Sequence, residues 1–172
     1  SFEPMEKEFQ GLKNESKIFG QWTVFNQALG DKKQKLKINV SENSVSSSIL
    51  GILDKHTESA PQSIYSHTED VSVNTLDNVI KENNLKNKNI FLKLDVQGFE
   101  KQALLGGADS LKYIDTIQVE ISLVPLYDGG VVFEELFDML RAQGYTLVAI
   151  ENGFSHKTTG QMLQMDGIFH RY

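Results

Sequence analysis

Three carboxylates follow apolar segments of the chain, and their positions make them the first candidates for chemistry: Glu3, Asp95 and Glu120. Open α/β sheets bind ligands beyond the carboxyl ends of their strands, so polar side chains at strand ends are where a site is expected. A carboxylate such as Glu3 can accept hydrogen bonds from both ribose hydroxyls of an adenosine-containing cofactor. An equally good alternative is that Glu3 stabilises the N-terminus of a helix through the helix dipole.

Asp95 ends an apolar segment in which every second residue points to the same face. Phe91 and Lys93 share the face of Asp95, and the residues between them are apolar. A charged side chain on one face of a central strand is expected to form an ion pair or to serve a function, because burying an unpaired charge costs free energy. We therefore favour a functional role for Asp95 over a structural ion pair.

Glu120 lies in residues 116–121, where apolar and polar residues alternate. If this strand lies beside residues 90–95, Glu120 and Asp95 flank one crevice, in which either carboxylate could take a proton from a bound group. The alternative is an ion pair between Glu120 and Lys93, and both can hold because active sites and structural networks alike perturb ionisable groups. The two carboxylates could also hold a divalent cation with water.

Three further residues are weaker candidates for substrate binding. Ser47 and Ser48 lie in a polar tract and could offer hydroxyls to a polar substrate, although loop and capping roles are more common for serine. Glu100 follows Gly98 in the first turn of a predicted helix, where stabilisation of the helix dipole explains an acidic residue at least as well as a site role.

The composition excludes several functional classes. The chain has 172 residues, a formal net charge of −6 and no cysteine, which excludes disulfide frameworks and Cys-based zinc or redox sites. An acidic chain without a basic stripe is a poor candidate for nucleic-acid binding. The four histidines lack metal-ligand spacing, so we expect no metal site. No apolar run approaches the length of a membrane span and no secretory signal opens the chain, so we expect a cytoplasmic protein.

The elements that would position these residues follow from hydrophobic periodicity and turn residues. The pattern predicts strands at residues 22–29, 36–40, 71–75, 90–96, 116–123, 145–150 and 165–172. It predicts helices at residues 5–14, from Thr75, from Phe99 to about Gly106, and at 133–143, with an irregular segment at 54–70. Alternating strands and helices are typical of a doubly wound α/β sheet, here a single domain over residues 1–172. The last two strands have no helix between them, so we expect them to pair antiparallel.

Several segments in order resemble the FkbM family of S-adenosylmethionine (SAM) dependent methyltransferases. They cover nearly the whole chain: residues 1–4, 26–31, 46–48, 73–77, 92–100, 118–120, 125–127 and 164–169. The most specific is the segment that runs from Asp95 through Val96, Gln97, Gly98 and Phe99 to Glu100. Each segment alone is weak evidence for the family, whereas the set of segments in this order is strong evidence.

The resemblance implies a Rossmann-like class I methyltransferase sheet, mostly parallel, with an antiparallel hairpin at one edge. It implies that SAM is the cofactor and that Glu3 holds its ribose. Backbone near Gln27 and Ala28 would border the adenine, Asp95 would lie near the methyl donor, and Glu120 would face the acceptor. The family's first strand and its glycine-rich turn are expected before Ser1, so the chain is expected to be N-terminally truncated and to lack the part that grips the methionine end of SAM.

The expected reaction is O-methylation of a hydroxyl on a sugar, a polysaccharide or a natural-product precursor, with a small-molecule or glycan acceptor as the partner. Acceptor selectivity is expected to reside in residues 41–70 and 123–132. The alternative is a non-catalytic methyltransferase-like binding module or an inactive fragment. A nucleotide-sugar enzyme on a related sheet would need a G-x-G-x-x-G loop, which the sequence lacks. Oligomeric state stays open, with a homo-oligomer among the alternatives.

Overall fold

A computed structural model describes all residues of the chain, 1–172. The strands are β1 (Ala28–Leu29), β2 (Gln34–Ser41), β3 (Tyr65–Asn74), β4 (Phe91–Leu94), β5 (Thr116–Ser122), β6 (Thr146–Asn152) and β7 (Gln164–His170). The α-helices are α1 (Glu6–Ser16), α2 (Asp54–Ser59), α3 (Leu76–Glu82), α4 (Glu100–Leu105) and α5 (Phe133–Ala142). Two short 3₁₀ helices lie at Pro61–Ser63 and Leu111–Tyr113.

The strands form two sheets. The smaller sheet has the order β1-β3-β2, with β1 parallel to β3 and β2 antiparallel to it. Its buried face is apolar, and Ile38, Val40 and Val71 pack there against Met5, the residue that precedes α1. The chain's first residues run alongside this sheet, where Phe2 forms an isolated parallel bridge to Phe25.

The larger sheet has the order β4-β5-β7-β6 and carries the main core. Strands β4 and β5 are parallel, whereas β7 is antiparallel to both β5 and β6. The apolar residues of β5 alternate with polar ones, so its buried face packs with side chains of α3, α4 and α5. The polar face of β5, which carries Glu120, is therefore available to form part of a site.

The fold class predicted from the sequence was right in being mixed α/β and wrong in being one mostly parallel sheet. Two of the five strand pairings are parallel and three are antiparallel. The segment 54–70 was predicted to be irregular, yet β3 begins at Tyr65 and pairs along the length of β2. The strand predicted at 22–29 is confined to β1, because Asn26 donates its side-chain amide to the carbonyls of Glu3 and Pro4 and the chain turns there.

Other predicted elements are confirmed. The last two strands pair antiparallel at one edge of the larger sheet. Thr75 caps α3, since its hydroxyl accepts a hydrogen bond from the backbone N–H of Asn78 at 3.2 Å. Gly144 follows α5 with a φ of 85°, as expected of a helix terminator. None of the helices combines the length and the apolar character that crossing a bilayer requires.

The two sheets approach each other where β1 ends. The carbonyl of Gly30 lies against Gly106, at the C-terminus of α4, so closely that a β-carbon at Gly106 would be 1.9 Å from that oxygen. The backbone N–H of Asp77 donates to the Gly106 carbonyl at 2.9 Å. Glycine is needed at position 106 because no side chain fits, and the contact joins the end of β1 to the C-terminus of α4.

Candidate functional site

A groove of about 730 Å³ lies between the two sheets. Its walls come from the start of the chain, β1, the loop after β2, and β4 with the residues that follow it. The groove brings together six of the eight residues predicted to form a site: Glu3, Gln27, Ala28, Ser47, Ser48 and Asp95. Glu100 and Glu120 do not line the groove. A volume of this size is typical of pockets for small molecules.

Hydrogen bonds with the backbone hold Glu3 near the N-terminus of α1. Its N–H donates to the carbonyl of Phe25 at 3.0 Å, and its Oε1 accepts from the N–H of Met5 at 2.9 Å. Partial burial raises the pKa of Glu3, the hydrogen bond from Met5 lowers it, and the nearby carboxylates Glu8 and Glu69 raise it further. Met5 directly precedes α1, so this contact places the Glu3 carboxylate near the N-terminus of that helix, and its effect on the helix dipole stays a prediction. The second oxygen makes no hydrogen bond within the protein, so it remains available to a ligand.

The groove beside Glu3 suits an adenosine-containing molecule. Ala28 is buried in β1, where it pairs with Val73, and Gln27 directly precedes it. Leu29 and Leu94 add apolar wall on the two sheets. A carboxylate with one free oxygen can accept a hydrogen bond from a ribose hydroxyl, and an apolar wall accommodates an aromatic base. These residues fit the methyl donor that the sequence predicts.

Asp95 directly follows β4, as predicted, on the same face as Lys93 and Phe91. Its Oδ2 pairs with the Lys93 ammonium at 3.2 Å, so the structural ion pair is present. Lys93 also lies 3.9 Å from Asp166. Partial burial by itself lowers the pKa of Lys93, but the surrounding carboxylates outweigh burial and raise it. The Asp95 side chain is 46% exposed and borders the groove, so it remains accessible.

Glu120 lies on β5, one position beyond the β4–β5 pair Leu94–Val119, and is therefore the neighbour of Asp95 that the alternation predicted. Its Oε2 accepts hydrogen bonds from the Gln97 amide at 2.9 Å and from the Gln164 amide at 2.7 Å. Lys93 makes its ion pairs with Asp95 and Asp166 and not with Glu120.

The pKa of Glu120 is raised to about 8. Burial is the main cause, and the charges of Asp95, Glu100 and Asp166 raise it further, while Lys93 lowers it. A carboxyl that titrates near neutral pH is suited to general acid–base chemistry, because it exchanges a proton at little cost. The arrangement can therefore accept a proton from a hydroxyl placed beside it.

Glu100 lies at the start of α4 and is 5% exposed. Its Oε1 accepts from the N–H groups of Val96 and Gly98, at 3.1 and 3.2 Å, so it closes the turn between β4 and α4. Burial raises its pKa to about 7, although these backbone donors act in the opposite direction. Its substrate-binding role stays a prediction, and its visible contacts are with the turn that carries Gln97.

The serine tract also lines the groove, and it contacts the residues that follow β4. Ser47 accepts a hydrogen bond from the N–H of Ser41 at 3.0 Å, and the two hydroxyls are 3.2 Å apart. Ser48 donates its hydroxyl to the Gln97 carbonyl at 2.6 Å and accepts from the N–H of Leu50 at 3.0 Å. Both hydroxyls are engaged within the protein while they line the groove, and their role toward a substrate stays a prediction.

The two segments predicted to carry acceptor selectivity meet in the structure. Ile52 forms an antiparallel bridge with Tyr127, and the N–H of Leu53 donates to the carbonyl of Leu126 at 2.9 Å. The N–H of Asp128 donates to the carbonyl of Gly51 at 2.7 Å. The two segments therefore contact each other through residues 51–53 and 126–128, and the Tyr127 hydroxyl reaches Gln97 beside the carboxylates.

Gln97 and Gln164 donate hydrogen bonds to the Glu120 carboxylate, and Tyr127 donates to Gln97. The sequence predicted none of the three as a site residue. Gln97 and Tyr127 both lie in segments that resemble the FkbM family, but that resemblance predicts no contact of either residue with Glu120 or Asp95. The available signal was the Gln97–Gly98 pair directly after an apolar strand, which marks a sharp turn at a strand's carboxyl end. Gln164 carries no local signal, because its contact depends on how β7 pairs with β5.

Comparison with known proteins gives one match. The family model for the methyltransferase FkbM domain matches residues 1–147. No curated protein and no solved structure matches the chain. No group of three or more His, Cys, Asp or Glu side chains is arranged to hold a metal ion.

Proposed function

This chain belongs to the methyltransferase FkbM family, and we propose that it uses SAM to methylate a hydroxyl group of a sugar, a polysaccharide or a natural-product precursor. The observation that carries the proposal is the convergence of Glu3, Gln27, Ala28 and Asp95 on one groove, although they come from distant parts of the chain. SAM, when bound, supplies a methyl group on a positively charged sulfur.

The groove's role is to bind and orient the cofactor. The free oxygen of Glu3 would accept hydrogen bonds from the ribose, and the backbone at Gln27 and Ala28 would border the adenine. Asp95 would lie toward the methyl donor, where its negative charge would complement a sulfonium. Positioning of this kind can contribute roughly 7–11 kcal/mol to the lowering of a barrier, so it carries most of the catalysis.

Glu120 acts on the acceptor. With SAM supplying the methyl group to a bound hydroxyl, the ionised carboxylate of Glu120 would be the group that accepts the hydroxyl proton. General base catalysis of this kind contributes about 10²–10⁴-fold. The carboxylates and amides around Glu120 suit an acceptor with several hydroxyls, because each can make a hydrogen bond to such a group. This favours a sugar or another polyhydroxylated acceptor.

The test is transfer of label from methyl-labelled SAM by the full natural chain to a panel of monosaccharides and oligosaccharides. We expect Asp95→Asn and Glu120→Gln each to lower the rate by at least about 10²-fold. Gln118→Met is the matched control, since Gln118 shares the face of Glu120 on β5 and makes no contact with either carboxylate. Wild-type turnover in both acidic variants would overturn the assignment. Binding of SAM without transfer to any acceptor would favour a non-catalytic binding module.

A further inference from the structure

One side chain joins the two carboxylates at the strand ends. The Gln97 amide nitrogen carries two N–H groups, and both are used: one donates to Asp95 Oδ1 at 2.7 Å and the other to Glu120 Oε2 at 2.9 Å. Oxygens of both carboxylates therefore lie within hydrogen-bond distance of a single nitrogen. Two carboxylates this close repel each other when both are ionised, and a donor placed between them offsets that repulsion.

The orientation of the Gln97 amide is fixed from its other side. The amide oxygen Oε1 accepts a hydrogen bond from the hydroxyl of Tyr127 at 2.5 Å. Tyr127 is 2% exposed, and burial together with the nearby carboxylates raises the pKa of its phenol, so it remains a donor. A rotated amide would place its oxygen against two carboxylates and its NH₂ group against a donor. Only one orientation satisfies all three contacts.

The backbone of Gln97 is held in an unfavourable conformation. Its φ is 52°, in the left-handed region that residues other than glycine, asparagine and aspartate seldom adopt. Such a residue costs on the order of 1–3 kcal/mol, and it persists where the surroundings compensate. Here the hydroxyl of Ser48 donates to the Gln97 carbonyl at 2.6 Å, and Glu100 accepts from the N–H of Gly98. A turn alone would be better served by glycine or asparagine.

From these contacts we propose that Gln97 is a positioning residue that holds the carboxylates of Asp95 and Glu120 in one fixed array toward the acceptor. The left-handed backbone aims the side chain between the two strand ends, and Tyr127 orients its amide. The catalytic meaning of this array rests on the function proposed above, but the array itself is a property of the protein and is measured without substrate.

The experiment is a carbon-13 NMR titration of side-chain carboxyl groups in the full natural chain, with the Glu120 signal assigned by its loss in Glu120→Gln. Gln97→Met keeps the length of the side chain and removes both donors. Its Glu120 carboxyl should titrate about one pKa unit higher, because a donor to the charged form is lost. Gln97→Asn keeps an amide, tolerates the left-handed backbone better and is one methylene too short to bridge. It should shift Glu120 in the same direction with an unfolding temperature equal to the wild type's or above it.

Gln118→Met is again the control, and it should leave the Glu120 titration unchanged. A Glu120 pKa equal to that of the wild type in Gln97→Asn, or the same shift in Gln118→Met, overturns the proposal. If Gln97→Met does not fold, Gln97→Asn decides by itself. The titration does not require methyl transfer. It can therefore refute the role of Gln97 without refuting the proposed function, and the transfer assay can refute the proposed function without refuting the role of Gln97.

Discussion

Replacing Glu120 with glutamine should change how the stability of the protein depends on pH. The side chain keeps its shape, and its amide oxygen can still accept from Gln97 and Gln164, which now donate to Oε2 of Glu120. What is lost is a titrating group in a buried position. The substitution therefore isolates the free energy of ionising this one carboxyl.

The magnitude follows from the raised pKa. Glu120 titrates at about 8 in the folded protein against an ordinary value of 4.5. The folded state therefore holds a proton that the unfolded chain has released. Its stabilising contribution is fully present below the ordinary pKa and is lost as the pH rises through the folded pKa. Between about pH 5 and about pH 9 this carboxyl should lower the free energy of unfolding by about 4 kcal/mol.

The assay is urea unfolding of the wild type, Glu120→Gln and Glu151→Gln across that pH range. The wild type and Glu120→Gln share every other titrating group, so the contributions of those groups largely cancel in the difference between these two proteins. From the acidic to the alkaline end of this range, the free energy of unfolding should fall by about 4 kcal/mol more in the wild type than in Glu120→Gln. Glu151→Gln, which alters an exposed carboxylate on β6, should follow the wild type. Parallel curves for the wild type and Glu120→Gln would refute the account of this site.

Two further predictions concern the turn after β4 and the reaction itself. Gly98→Ala should destabilise the protein by on the order of 3 kcal/mol in urea unfolding, because the φ of Gly98 is 93° and a β-carbon would lie 2.8 Å from the Tyr127 side chain. Gly129→Ala should lower the free energy of unfolding by only about 1 kcal/mol, because Gly129 has a positive φ but no atom lies within 4 Å of the added β-carbon. Equal losses of stability in Gly98→Ala and Gly129→Ala would contradict the steric argument. The rate of methyl transfer should rise with pH through about 8, where Glu120 ionises and becomes a base. A flat or falling rate profile would remove Glu120 from that role.

The residues of the site were predictable from the sequence where the signal is local. Alternation with a period of two placed Lys93 and Asp95 on one face of β4 and Glu120 on the polar face of β5, and the structure has them so. The neighbouring positions of Asp95 and Glu120 followed from the assumption that these two strands pair. That assumption is confirmed by the parallel register of β4 and β5.

Features that depend on distant parts of the chain were not predictable in the same way. The antiparallel pairing of β2 with β3 leaves no signal in the polar segment at 54–70, because β-strand formation there depends on the partner. The role of Gln97 needs Glu120 and Tyr127, which lie 23 and 30 residues further along the chain. The groove likewise exists only once the start of the chain lies opposite β4.

The most direct measurement of the central claim is calorimetric titration of the full natural chain with SAM, beside Glu3→Gln. The account predicts saturable binding at one site, weakened about tenfold or more in Glu3→Gln, since hydrogen bonds to a charged group contribute about 1.5–3 kcal/mol. Glu8→Gln, which removes a neighbouring carboxylate and keeps Glu3, should bind as the wild type does. No detectable binding by the wild type, or equal affinity in Glu3→Gln, would contradict the assignment of the groove to this cofactor.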